Sequence, residues 1–282
     1  MTKKAKRYED LTIADDFMFC KIFIAHEDLC REMTELILNR KVGRIVELGS
    51  QKPVEITNDG RGVRFDVYVA DDMDTIYNIE MQVGKVSELP FRTRYYQGMI
   101  DLDRMERGTK FKDLKTTYII FICIDNLYPD IGFHKYSFSS TCAEVPNLEL
   151  KDGVYKVILS AKGTQDDVTE DLKAFLEYVA GKAPASDFTK RLDDKVKEAR
   201  EHIEWRKEYM TLLERDERMR EEGREEGRAE ERVKTEMETA RANAAEKEAS
   251  EAKQEASAFR EELERTKAIL TALTKKYGIS EQ

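Results

Sequence analysis

Three residues in the first third of the chain have types and spacing suited to phosphate chemistry: Asp66, Glu80 and Gln82. They lie on two segments of strand composition, 63–70 and 75–83, joined by Asp71-Asp72-Met73-Asp74. Side chains alternate along a strand. Arg64, Asp66 and Tyr68 therefore share one face of the first, and Ile76, Asn78, Glu80 and Gln82 one face of the second. A hairpin turning near Met73 sets Asp66 opposite Glu80 and Arg64 opposite Gln82. Carboxylates about 5 Å apart repel, and in a confined site one of them holds its proton more tightly. A divalent cation between them removes that penalty. Mg²⁺ suits the pair, being held by one or two carboxylates with water and phosphate completing its shell. On this reading Asp66, Glu80 and the Met81 carbonyl hold the metal. Gln82 orients the attacking water or the scissile phosphate, a role usually taken by lysine. The plain alternative is two acids on the solvent face of a hairpin, which a one-residue slip would separate.

The surrounding pattern supplies elements to position these strands. Residues 11–39 form one or two helices, with Phe17, Phe19, Ile22 and Phe23, then Leu29, Met33, Leu36 and Ile37, at helical spacing. Residues 44–48 are a short strand. Pro90 opens a helix that runs to about Arg107, capped by Gly108. On it Arg94 and Gln97 share a face and, with Arg64, are candidates for substrate contact. The competing reading packs Tyr95 and Tyr96 on the sheet and leaves Arg92 and Arg94 to pair with surface acids. Residues 117–124 form an unbroken apolar run, as in a central strand covered on both faces. Residues 134–138 and 154–159 are further strands, and 168–180 a helix. The order is that of an α/β core of about 185 residues.

Beyond Pro184, the last proline, Glu, Lys, Arg and Ala dominate, so the chain divides into 1–185 and a helical tail, 186–282. Gly223 and Gly227 each weaken that helix by about 1 kcal/mol. From Glu238 to Ser257 its only apolar residues are alanines, poor coiled-coil material. Phe259, Leu263, Leu270, Leu273 and Tyr277 then form a short heptad seam. Self-association through this coiled coil stands beside a lone helix braced by Glu–Lys and Glu–Arg pairs. The net charge of −9 opposes general affinity for nucleic acid and leaves room for a local patch. Lys3, Lys4, Lys6 and Arg7 could touch a phosphate backbone, and Glu35 could add a carboxylate to the site. Cysteine and histidine spacings make no zinc site, and three of the four thiols read as buried and reduced. No apolar run approaches a membrane span and no signal peptide is evident, so a cytoplasmic protein is expected.

The strings Arg64-Phe65-Asp66-Val67-Tyr68-Val69 and Tyr77-Asn78-Ile79-Glu80-Met81-Gln82 resemble the Rpn family of recombination-promoting nucleases and transposases, of PD-(D/E)XK type. Residues 15–23, 89–97 and 118–122 are similar to its N-terminal helix, the helix after its catalytic strands and its next core strand. The Glu-Glu-Gly-Arg repeat at 221–228 is similar to its glycine-punctuated tails. The resemblance spans about 8–228. It implies a restriction-endonuclease-like mixed sheet flanked by helices and Mg²⁺-dependent DNA cleavage linked to recombination. Asp66, Glu80 and Gln82 match its active-site positions, with Gln where the wider superfamily has Lys. A second functional reading keeps the fold with only weak catalysis, as a nuclease-derived DNA- or protein-binding module whose tail recruits partners.

Overall fold

The computed structural model describes residues 6–54, 63–105, 108 and 110–277. Two helices come first, α1 (Asp16–Ala25) and α2 (Glu27–Leu38). α2 ends where Asn39 takes a left-handed conformation, φ 51°. Then follow β1 (Ile45–Val54), β2 (Val63–Asp71), β3 (Thr75–Gln82), α3 (Leu89–Arg104), β4 (Thr116–Cys123), β5 (Lys135–Phe138) and β6 (Val154–Ser160). α4 (Glu170–Val179), α5 (Asp187–Arg200) and α6 (Ile203–Tyr277) complete the chain.

The six strands make one mixed sheet in the order β1-β2-β3-β4-β6-β5. The pairs β1–β2, β2–β3 and β5–β6 are antiparallel, while β3–β4 and β4–β6 are parallel. This is the α/β, restriction-endonuclease-like arrangement expected from the sequence. The apolar run of β4 lies in the middle, with Ile119, Ile120, Phe121 and Ile122 fully buried, as a strand flanked on both faces requires. β3 and β4 are joined through α3, so the loop from Val83 to Glu88 places the start of α3 beside the end of β3.

Two expectations change at element ends. β1 is twice the expected length, because an edge strand can pair through its backbone alone, with Gly49 opposite Tyr68 and Pro53 opposite Arg64. α3 stops at Arg104 rather than about Arg107, and Gly108 has positive φ without capping it. Glu106 and Arg107 lie outside the described residues, as do Lys3 and Lys4.

The hairpin turn is tied by Asp71, which is 4% exposed. Its carboxylate accepts from Gly43 N, Met73 N, Thr75 N and the Tyr77 hydroxyl, at 3.0–3.1 Å. Past the composition break at Pro184 the chain stays attached to the core. Ser186 caps α5, and Phe188, Leu192 and Val196 are buried. The Tyr8 hydroxyl donates to Ala199 O at 2.6 Å, and Tyr209 on α6 meets the rings of Tyr8 and Phe17. The first compact unit accordingly runs to Thr211, and a second comprises Leu212 onward. Among the described residues no helix is long and apolar enough to cross a membrane.

Candidate active site

The β2–β3 ladder runs from Ala70↔Ile76 to Val67↔Ile79, the register that places Asp66 opposite Glu80. At that next step carboxylates take over from backbone pairing. Asp66 N donates to Glu80 Oε1, and Met81 N donates to Asp66 Oδ2, both at 3.1 Å. Phe65 and Tyr68, which alternation puts on opposite faces, here stack at 6.1 Å in one apolar cluster. The departure comes where the regular ladder ends. Glu80 is only 2% exposed, so the hairpin does not carry it on a solvent face.

Both carboxyls hold their protons well above the ordinary carboxylate range. For Asp66 the main cause is burial, with the negative charge of Asp16 adding to it, against the Met81 N–H, Arg92 and Arg64. For Glu80 it is burial and then the charge of Asp66, against the Asp66 N–H, Arg92 and Asn78. Asn78 is fully buried one pleat behind Glu80. It lies near enough to influence that carboxyl, yet among the described residues neither amide atom has a well-formed hydrogen bond.

The cation facing this pair comes from α3. Arg92 donates from Nη1 to Gln82 Oε1 at 2.5 Å and from Nη2 to the Tyr96 hydroxyl at 2.9 Å. Its Nη2 stands 3.5 Å from Glu80 Oε2. The guanidinium is stacked over Phe121 and Tyr96, 4.9 and 5.3 Å from their ring centres. Gln82 is further held by donating Nε2 to Lys85 O at 3.0 Å. Arg92 is thus an inward residue rather than the partner of a surface acid. Its i,i+4 spacing to Tyr96 just after Pro90 was a usable sign of one inward face.

The other sequence candidates sit differently. Arg94 is exposed on α3, and Arg64 is exposed on β2. Gln97 is buried and donates to Asp101 at 2.9 Å, toward the far end of α3 from Arg92. Glu35 binds Lys41 Nζ and Val42 N, and Lys6 pairs with Asp15. The acid that α1 does bring near Asp66 is Asp16. It is exposed at the mouth of the site, yet its pKa is raised, chiefly by desolvation. Cys20 Sγ donates to Asp66 O at 3.2 Å; Cys20, Cys30 and Cys123 are buried free thiols. Among the described residues no cluster of three or more Asp, Glu, His or Cys is assembled as a metal cage.

The mixed sheet thus sets half-buried Asp66 beside buried Glu80 at the open end of the β2–β3 hairpin, with Arg92 of α3 facing them. The family model described as PD-(D/E)XK nuclease family transposase matches residues 13–155, about half the chain, and the chain belongs to that family. The matched span includes Asp16, Asp66, Glu80, Gln82 and Arg92. No curated protein and no solved structure matches significantly. The family bears out the resemblance in the sequence and gives the protein a nuclease- or transposase-type role.

Proposed function

We propose that this chain is a Mg²⁺-dependent DNA endonuclease that hydrolyses phosphodiester bonds in recombination or transposition. The observation that carries the reading is the Asp66–Glu80 pair: a half-buried and a fully buried carboxyl lie side by side, and desolvation and mutual charge hold the protons on both. The donor set fits a small hard cation, which takes one or two carboxylates and completes its shell with other oxygens. Asp66, Glu80 and the Met81 carbonyl would hold it. The Met81 N–H is turned toward Asp66, and in a strand the carbonyl of the same residue points to the same side. A bound cation supplies an activated water and neutralises charge growing on the phosphoryl oxygens.

The chain's own residues do the rest. Gln82, anchored at Lys85 O, presents its amide beside Glu80 and orients water or phosphate. Arg92 brings the positive charge that Gln82 lacks, and its planar fork matches two phosphate oxygens. Tyr96 and Phe121 keep that fork in place. The exposed Arg64 and Arg94 can meet the DNA backbone flanking the scissile bond, a local basic contact in an acidic protein. Gln97, committed to Asp101, supports α3 from behind.

Plasmid nicking by the wild type and by Asp66→Ala, with Mg²⁺ and with EDTA, tests this. Nicking that needs Mg²⁺ and vanishes in the variant is the expected result. The net charge of −9 and Gln82 in place of lysine favour a second reading, a nuclease-derived binding module. A folded wild type that binds DNA equally with and without metal, and never cuts it, would establish that one instead.

A further inference from the structure

α6 is one helix of 75 residues, and every residue from Ala242 to Leu273 is exposed. Phe259 is 68% exposed and Leu270 64%, which is unusual for large apolar side chains on one helix face. The seam they mark does not begin at Phe259. Stepping back from Phe259 by alternate threes and fours meets Ala256, Ala252, Ala249, Ala245 and Ala242 without a break. Stepping forward meets Leu263, Thr266, Leu270 and Leu273. Five of the alanines, poor coiled-coil material on composition, therefore occupy a and d positions of one continuous heptad frame.

The flanking charges fall in register with that frame. With Ala242, Ala249, Ala256 and Leu263 at position a, the g positions carry Glu248, Glu255 and Glu262. The e positions that follow carry Lys253, Arg260 and Lys267. In a parallel pair of helices each g residue faces the next e residue of the other copy. All three contacts then join Glu to Lys or Arg, twice over by symmetry. In an antiparallel pair g faces g and e faces e, which would set Glu against Glu and place cations together. Within the single helix, Lys267 pairs with Glu264 at 3.1 Å instead.

We infer that residues 242–273 form a parallel, in-register coiled coil with a second copy of this chain. Phe259, Leu263, Leu270 and Leu273 supply most of the apolar burial. The alanine stretch lets the helices approach closely, and the Glu–Lys and Glu–Arg contacts select orientation and partner. Both chains then enter the coil from the same end.

The test uses the full chain and reads mass and cross-linking, so it stands whether or not the protein cuts DNA. Sedimentation equilibrium is expected to give a dimer, and Leu263→Asp a monomer. In a Cys142→Ser background the remaining native thiols are buried. There Ala252→Cys is expected to form an intermolecular disulfide on mild oxidation, since a d residue meets its own counterpart only in a parallel, in-register pair. Glu255→Lys should weaken dimerisation about tenfold, and adding Arg260→Glu should restore it. A monomeric wild type, a dimer that survives Leu263→Asp, or a dimer that fails to cross-link at residue 252 would each overturn the inference.

Discussion

The β2–β3 hairpin holds buried carboxylates at both ends, and the two ends are supplied very differently. At the turn, Asp71 has three backbone amides and the Tyr77 hydroxyl around a single carboxylate. At the open end, Asp66 and Glu80 receive one backbone amide each among the described residues, and Asp16 adds a third negative charge nearby. One guanidinium, itself shared with Gln82 and Tyr96, faces them. A buried charge surrounded by donors is structural, because it fixes a turn that could not otherwise close. A carboxyl pair largely out of water and short of donors disfavours its own ionised form, and on the proposed function a bound cation makes good the shortage.

Substitutions at the two ends should therefore fail in opposite ways. Asp66→Asn keeps the shape and the bond from Met81 N but removes the charge. Metal-dependent cleavage should fall by about 10³-fold or more, with no loss of thermal stability. A rate assay paired with a melting curve checks this, and a variant that melts early would erase the distinction. Asp71→Ala strands four donors at the turn and should cost about 3 kcal/mol in denaturant unfolding, with activity per folded molecule retained. Arg92→Ala should lower cleavage about 10²-fold, whereas Arg92→Lys keeps the charge, loses the fork and should recover only part of it. Wild-type rates in both the Ala and Lys variants would show that neither charge nor fork matters there.

How legible each end was follows from the range of the interactions. Asp66 opposite Glu80 could be reached from the sequence, because a short turn fixes hairpin register and side chains alternate beyond it. β4 announced itself by its unbroken apolar run from Tyr118 to Cys123, since both its faces are covered. The edge strand β1 did not, because Gly49, Ser50, Lys52 and Pro53 pair through the backbone and share no strand-like pattern. Arg92 and Asp16 were the harder residues. Neither is close in sequence to Asp66 and Glu80, and only the placement of α1 and α3 against the sheet brings them there. The same limit explains α5: Phe188, Leu192 and Val196 sit in a charged stretch, and composition alone assigned them to the tail.

The smallest effect is the one that separates the two ends most cleanly without any substrate. Asp66 and Glu80 both have raised pKa values in the folded protein, with burial as the main cause. An acid with a raised folded pKa keeps its proton in the native state at pH values where the unfolded chain has already lost it. Over that interval the native state binds more protons, so unfolding free energy falls as pH rises from the ordinary carboxylate range toward the raised values. In EDTA, then, the wild type should lose stability relative to Asp66→Asn between pH 4 and pH 8. Asp66→Asn should be about as stable as wild type at pH 4 and more stable by about 1–2 kcal/mol at pH 8. Adding Mg²⁺ at pH 8 should raise the wild-type melting temperature and leave the variant nearly unchanged, since binding only the native state shifts the equilibrium toward it. If the wild type instead gains stability relative to Asp66→Asn as pH rises in EDTA, the open end of the hairpin is as well supplied as the turn, and the contrast between them collapses.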